Sequence, residues 1–177
     1  GLDDLNTENP AVRRALRQSY GHWVREVGVD GFRLDTAFYV PPALMHDFLR
    51  SPDPAAPGIE RVARATGREA FYTFGEGFGI DKPYATTQAH RIERYVRSQG
   101  ARTGRPLMQG MLHFTLYGSL GDVLARGAPT AVLGHRITQS QRVHSDPHRM
   151  ATFVDNHDVD RFLAGGTEAG LRQALLA

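Results

Sequence analysis

The 177-residue chain contains no cysteine, which excludes a disulfide framework, a thiolate nucleophile and a zinc site built on cysteine, and leaves the compartment open. Lysine is nearly absent too. Of 21 lysines and arginines only Lys82 is a lysine, and the arginines are scattered along the chain rather than gathered. A nucleic-acid surface needs a concentrated basic stripe, so a formal net charge of +2 gives no reason to expect nucleic acid as a partner. No apolar run approaches the ~18 residues of a membrane-spanning helix, so no membrane partner is expected. What is present suits a folded domain: 41% hydrophobic and 23% charged residues, with 19 glycines and 10 prolines to divide the chain into short elements.

Strand-like and helix-like patterns alternate, which predicts an α/β fold with a parallel sheet. Pro10 follows Asn9 as proline follows an N-cap, and Val12, Leu16, Tyr20, Trp23 and Val27 recur at three and four residues. Residues 10–27 are therefore expected to form an amphipathic helix, ended by Gly28. Strands are expected at 29–35, 69–75, 107–114 and 150–155, and helices near 41–50, 58–65, 82–98, 115–126, 129–143 and 168–177. Pro52, Pro54 and Pro57 mark a loop between the helices at 41–50 and 58–65.

Three short stretches end an apolar run on an acid: Gly31-Phe32-Arg33-Leu34-Asp35, Phe74-Gly75-Glu76 and Phe153-Val154-Asp155-Asn156-His157-Asp158. A buried parallel strand looks like this where its C-terminal end opens into a catalytic mouth. Asp35 and Glu76 are 41 residues apart, and Glu76 and Asp158 are 82 apart. These intervals are one and two copies of a common unit, near the ~31 residues per unit of an eight-unit βα barrel with insertions. Such a barrel takes about 250 residues, so this chain, which opens on Gly1-Leu2-Asp3 and stops within an apolar helical pattern, is expected to be a fragment. Singly, each stretch has a plainer reading as a helix cap, a turn or a surface ion pair; their joint spacing favours one active site.

With these motifs the chain resembles the second half of the catalytic barrel of the α-amylase superfamily, glycoside hydrolase family 13. Residues 31–35, 74–76 and 153–158 resemble the motifs of its fourth, fifth and seventh strands, and Leu2-Asp3-Asp4-Leu5-Asn6 resembles the short motif before the fourth. The resemblance implies a partial (β/α)8 TIM barrel, roughly strands four to seven with their helices. It also implies a retaining glycosidase acting on α-linked glucans, with Asp35 as nucleophile, Glu76 as general acid/base and Asp158 as the acid that grips sugar hydroxyls. Arg33 would orient Asp35, and His157 would donate to substrate beside Asp158. Phe38 and Tyr39 stand where many α-amylases carry a lysine and a histidine, and are expected to border the substrate. A calcium ion is implied through the Asp4 carboxylate and the Tyr39 backbone carbonyl, since hard oxygen donors suit it; no organic cofactor is implied. A transglycosylase of the cyclodextrin-forming kind is the alternative within the class, and a non-catalytic binding subunit on the same fold the alternative outside it.

Other patterns carry less. Gly75-Glu76-Gly77-Phe78-Gly79 is not a phosphate-cradling G-x-G-x-x-G, because an acid sits where the anion would bind, and a nucleotide-binding domain lacks its signature here. His144 and His148 have metal-pair spacing, but Pro147 breaks the helix that would align them. Tyr84, Tyr117, Phe114 and Trp23 are read first as packing residues that could also line a sugar site.

Overall fold

The computed structural model describes residues 4–97 and 105–177. Leu2 and Asp3 of the short first motif, and Ser98 at the end of the expected fourth helix, lie outside them. The described chain runs through α1 (Pro10–His22), β1 (Gly31–Leu34), α2 (Pro42–Arg50), α3 (Ile59–Ala65), β2 (Tyr72–Gly75), α4 (Thr87–Val96), β3 (Gly110–Met111), α5 (Phe114–Leu120), α6 (Thr130–Val143) and α7 (Glu168–Leu176). The strands form one sheet in the order β1-β2-β3, as expected of βα units whose helices carry the chain back to start each parallel strand. The chain divides into two compact units, residues 1–34 with 39–73 and residues 35–38 with 74–177, the division falling inside β2.

In the first unit, Asn9 caps α1 by accepting from the Ala11 N–H at 2.9 Å, with Pro10 in the first turn. The helix widens into a π turn over Trp23–Val27 and stops at Gly28, whose φ of 80° is one that side chains resist. The inward face of α1 packs Leu16 and Val24 against Phe48, Ile59, Val62 and Phe71. Phe32 of β1 joins them, edge-on to Tyr20 and Phe71. Arg17 is buried, yet its guanidinium is bound by Asp47, Asp53 and the Ala56 carbonyl, which is how a buried cation is tolerated. The Tyr72 N–H reaches the Asp30 carbonyl, so β2 starts beside the entry to β1.

In the second unit, Phe74 and Gly75 pair in parallel with Gly110 and Met111. Gly75 is closely surrounded: a Cβ would lie 2.5 Å from Met108 Cε and 2.6 Å from Met111 Sδ, so both methionines would have to shift. Leu120, Phe162 and Ala174 centre a core to which Leu116, Leu133, Val154 and Leu171 add.

Two expected strands are shorter than their apolar patterns. The 107–114 pattern yields a two-residue ladder, because the chain turns at His113 and enters α5. The 150–155 pattern yields one parallel bridge, Leu112 to Ala151, after which residues 152–161 follow a loop. The helix expected from 82 begins at Thr87 instead. Asp81 takes the capping role, accepting from the Gln88 and Ala89 N–H groups at 2.8 and 3.0 Å, and residues 82–86 are turned back by Pro83 and by Tyr84 at φ 64°.

Candidate active site

Asp35 lies one residue past the end of β1, and Glu76 one residue past the end of β2. Asp35 is exposed and Glu76 is buried. Their loops are tied together by backbone: the Thr36 N–H donates to Glu76 Oε2 at 2.8 Å, and the Ala37 N–H to the Glu76 carbonyl at 2.7 Å. Thr36 achieves this in the left-handed region, φ 47°, an unusual conformation for a β-branched residue. The result sets the Glu76 carboxylate against the peptide that follows Asp35. Both acids belong to the second unit, as do Phe38, His157 and Asp158; Asp4, Arg33 and Tyr39 belong to the first.

Phe38 packs below this junction. Its ring is so close to Gly77 that a Cβ there would meet Phe38 Cε1 at 2.5 Å. The guanidinium of Arg91 covers the same ring at 3.9 Å, and Tyr95 lies 5.4 Å away, a cation–π arrangement that holds the ring in place. Tyr39, by contrast, is 83% exposed. Arg33 occupies the exposed position of β1.

His157 and Asp158 sit in the loop after the Ala151 bridge. His157 Nε2 is 3.2 Å from Asp158 Oδ2, and the Asp158 N–H donates to Asn156 Oδ1 at 2.9 Å. The loop is anchored by Asp155, which accepts from the Phe162 N–H and from Arg161, each at 2.9 Å. The Phe162 N–H first, and Arg161 after it, hold the Asp155 carboxyl below the usual carboxylate range. Together with Phe78, Ile80 and Tyr117, residues 157–160 line an open cleft of 490 Å³. Phe78 comes two residues after Glu76. Tyr117 stacks flat on Phe153, 9° between planes and 5.0 Å between centroids, and Phe114 meets both rings edge-on. Burial pushes the Tyr117 hydroxyl pKa up, so it stays neutral at the cleft. A polar cleft with carboxylates, an imidazole and flat aromatic faces can bind a sugar ring: the polar groups take hydroxyls and the rings take the C–H face.

The Asp4 carboxylate accepts from the Leu5 N–H at 2.7 Å. It and the Tyr39 carbonyl are oxygen donors of the type calcium takes, but no group of three or more histidine, aspartate or glutamate side chains gathers at a metal-sized site among the described residues. No helix among the described residues is long and apolar enough to cross a membrane.

Motif reading did not anticipate Thr36, Asp81, Asp155 and Arg136. Asp155 lies within the 153–158 motif, but only the fold shows that it ties the loop through Arg161 and the Phe162 N–H. Arg136 stands on α6 and reads in sequence as one more helix-surface arginine.

Residues 1–108 match the family model for the α-amylase catalytic domain. A β/α-amylase from Paenibacillus polymyxa is 31% identical over 92% of this chain and 11% of its own length. An α-amylase from Streptomyces lividans is 34% identical over 91% of this chain and 16% of its own. Among solved structures, a cyclomaltodextrin glucanotransferase with a three-domain ABC distribution superposes with a TM-score of 0.75 at 24% identity, covering 99% of this chain and 31% of that one. The chain thus spans less than a fifth of those two curated relatives.

Proposed function

Because the chain belongs to the family of α-amylase catalytic domains, we propose that the protein carrying it is a retaining glycoside hydrolase that cleaves α-linked glucans such as starch and maltodextrin. Its fold is part of a (β/α)8 barrel, in which catalytic groups stand at the C-terminal ends of strands. In this reading Asp35 attacks the anomeric carbon and forms a glycosyl ester, while Glu76 gives its proton to the departing glycosidic oxygen and then takes one from water. Arg33, two residues before Asp35 in the chain, has the role of orienting it in this reading. Asp158 and His157 bind ring hydroxyls most strongly as positive charge develops on the sugar. The observation that carries the reading is the 2.8 Å bond from Thr36 to Glu76 Oε2, since it brings a second carboxylate to the residue next to Asp35. Phe38, packed under Gly77, supports the acid's backbone; Tyr39, being exposed, is free to meet substrate.

The second reading is transfer to an acceptor sugar, the activity named for the cyclomaltodextrin glucanotransferase with which the chain superposes, since water and an acceptor sugar compete for the same glycosyl ester. The full-length protein incubated with starch, pullulan and cyclodextrins decides between them: α-configured products with one new reducing end per bond cleaved indicate hydrolysis, and longer or cyclic products with no gain in reducing ends indicate transfer. Asp35→Asn should lower turnover about a thousandfold or more with the fold kept, because an isosteric amide cannot form the ester. Near-normal activity in that variant would sink the assignment, and a wild-type protein that binds glucan without turning it over would be a binding subunit.

Calcium belongs to the same reading. The Asp4 carboxylate and Tyr39 carbonyl would supply two of its 6–8 oxygens, and the ion's role would be to hold loops rather than to react. Chelation should lower Tm of the full-length protein and calcium should restore it; a Tm indifferent to both removes the ion.

A further inference from the structure

The segment after Glu76 is held from an unexpected direction. Arg136 on α6 is 1% exposed, and so is the side chain of Asp81, its partner at 3.3 Å. The same guanidinium donates to the Ala85 carbonyl at 2.9 Å, the Lys82 carbonyl at 3.4 Å and Ser119 Oγ at 3.2 Å. Between the two gripped carbonyls lies Tyr84 at φ 64°, a conformation that a tyrosine keeps only where its surroundings enforce it. A second fixing point is Ile80, which sits so tightly on α5 that a Cβ on Gly118 would come 2.5 Å from Ile80 Cγ2. Phe78 and Ile80, the residues just upstream of the clamp, line the same open cleft as Tyr117 and residues 157–160.

A buried ion pair contributes little net stability compared with an apolar pair of the same volume. What a guanidinium supplies instead is direction, because its five donors sit in one rigid plane. Four acceptors, three within residues 81–85 and the fourth on α5, tie that segment to one arrangement about the guanidinium. The Asp81 carboxylate is itself committed, to Arg136 and to the first turn of α4, so the loop is pinned to α4 and α6 together.

We propose that Arg136 is a positioning residue for substrate binding: through Asp81 and the Lys82 and Ala85 carbonyls it holds the 77–86 segment so that Phe78 and Ile80 form the apolar wall of the glucan cleft. The inference rests on the active-site reading above and adds to it a residue remote from the reacting atoms. Loosening the clamp should weaken uniform binding and leave the chemistry at Asp35 and Glu76 intact. In the full-length protein with maltoheptaose as substrate, Arg136→Gln should raise KM roughly tenfold to a hundredfold with kcat changed by about twofold or less. Arg136→Lys, which keeps the charge but not the fork, should raise KM by a smaller factor. If Arg136→Gln does not accumulate as folded protein, Arg136→Lys decides alone. A purely structural role would lower Tm with KM unchanged, and that result overturns the proposal, as does a fall in kcat at constant KM. Glu76→Gln serves as the control for the site itself. If it retains wild-type turnover, the active-site reading fails; if it is inactive while the Arg136 variants keep wild-type KM, only the clamp fails.

Discussion

At the scale of single residues, the buried polar groups of the second unit make its stability depend on pH. His113 is buried, with Nε2 2.8 Å from Ser140 Oγ and Nδ1 3.2 Å from Thr115 Oγ1, and its ring stands edge-on to His144 at 5.1 Å. Burial first, then the positive charge that His144 and Arg136 bring, pushes its pKa down to about 3. His144 is lowered by burial as well, and Glu93, 3.3 Å from its Nδ1, pulls the other way. An unfolded His113 takes up its proton near 6.5, whereas the folded one resists until about 3, so unfolding binds a proton in between. Its contribution is therefore complete above pH 6.5 and is lost as pH falls toward 3, at up to about 1.4 kcal/mol per pH unit. Urea denaturation of the intact protein at pH 7.5, 6 and 5 should show this loss, and His113→Gln should flatten it. Equal slopes for the two proteins would mean that His113 is not the group responsible.

At the scale of elements, the turns after β1 and β2 act as one piece. The Thr36 and Ala37 N–H groups both end on Glu76, and Phe38 fills the space that Gly77 leaves open. Gly77→Ala would drive a Cβ into the Phe38 ring, which Arg91 covers at 3.9 Å, and to 2.8 Å from Met111 Cε. Overpacking of this kind costs about 1–3 kcal/mol. The strain falls next to Glu76, so under the proposed function turnover should fall alongside stability. Denaturation midpoints and starch turnover measured on the same preparation check this; a variant indistinguishable from wild type in both would show that the contact yields freely.

At the scale of the whole molecule, β1 is an end strand among the described residues, and within the second unit the ladder reaches Ala151 by a single bridge. An open edge presents unpaired N–H and C=O groups to other chains. The 177 residues expressed by themselves should therefore self-associate with rising concentration and lack amylolytic activity, as light scattering and a starch assay would reveal. A monomeric, cooperatively melting and active product would contradict this account of the edges.

Much of the molecule was legible in the amino-acid order alone, and for a local reason. Asn9, Pro10 and Gly28 delimit α1 by capping and backbone preference, which act within a few residues. Asp35 and Glu76 stood out because each follows an apolar run, and Asp158 because it lies 82 residues beyond Glu76, twice the interval between the first two. Strand length was not legible. The patterns at 107–114 and 150–155 record burial, whereas a ladder needs a neighbour in register, and that neighbour comes from elsewhere in the chain. The start of α4 was likewise moved from 82 to 87 by the turn at Tyr84 and by Asp81, which Arg136 holds from 55 residues away. An arginine on a helix looks the same in sequence whether it faces water or a buried carboxylate. Only the packing of α6 against the segment after β2 turns Arg136 inward, because burial of a charge is decided by what surrounds it and not by its own position in the chain.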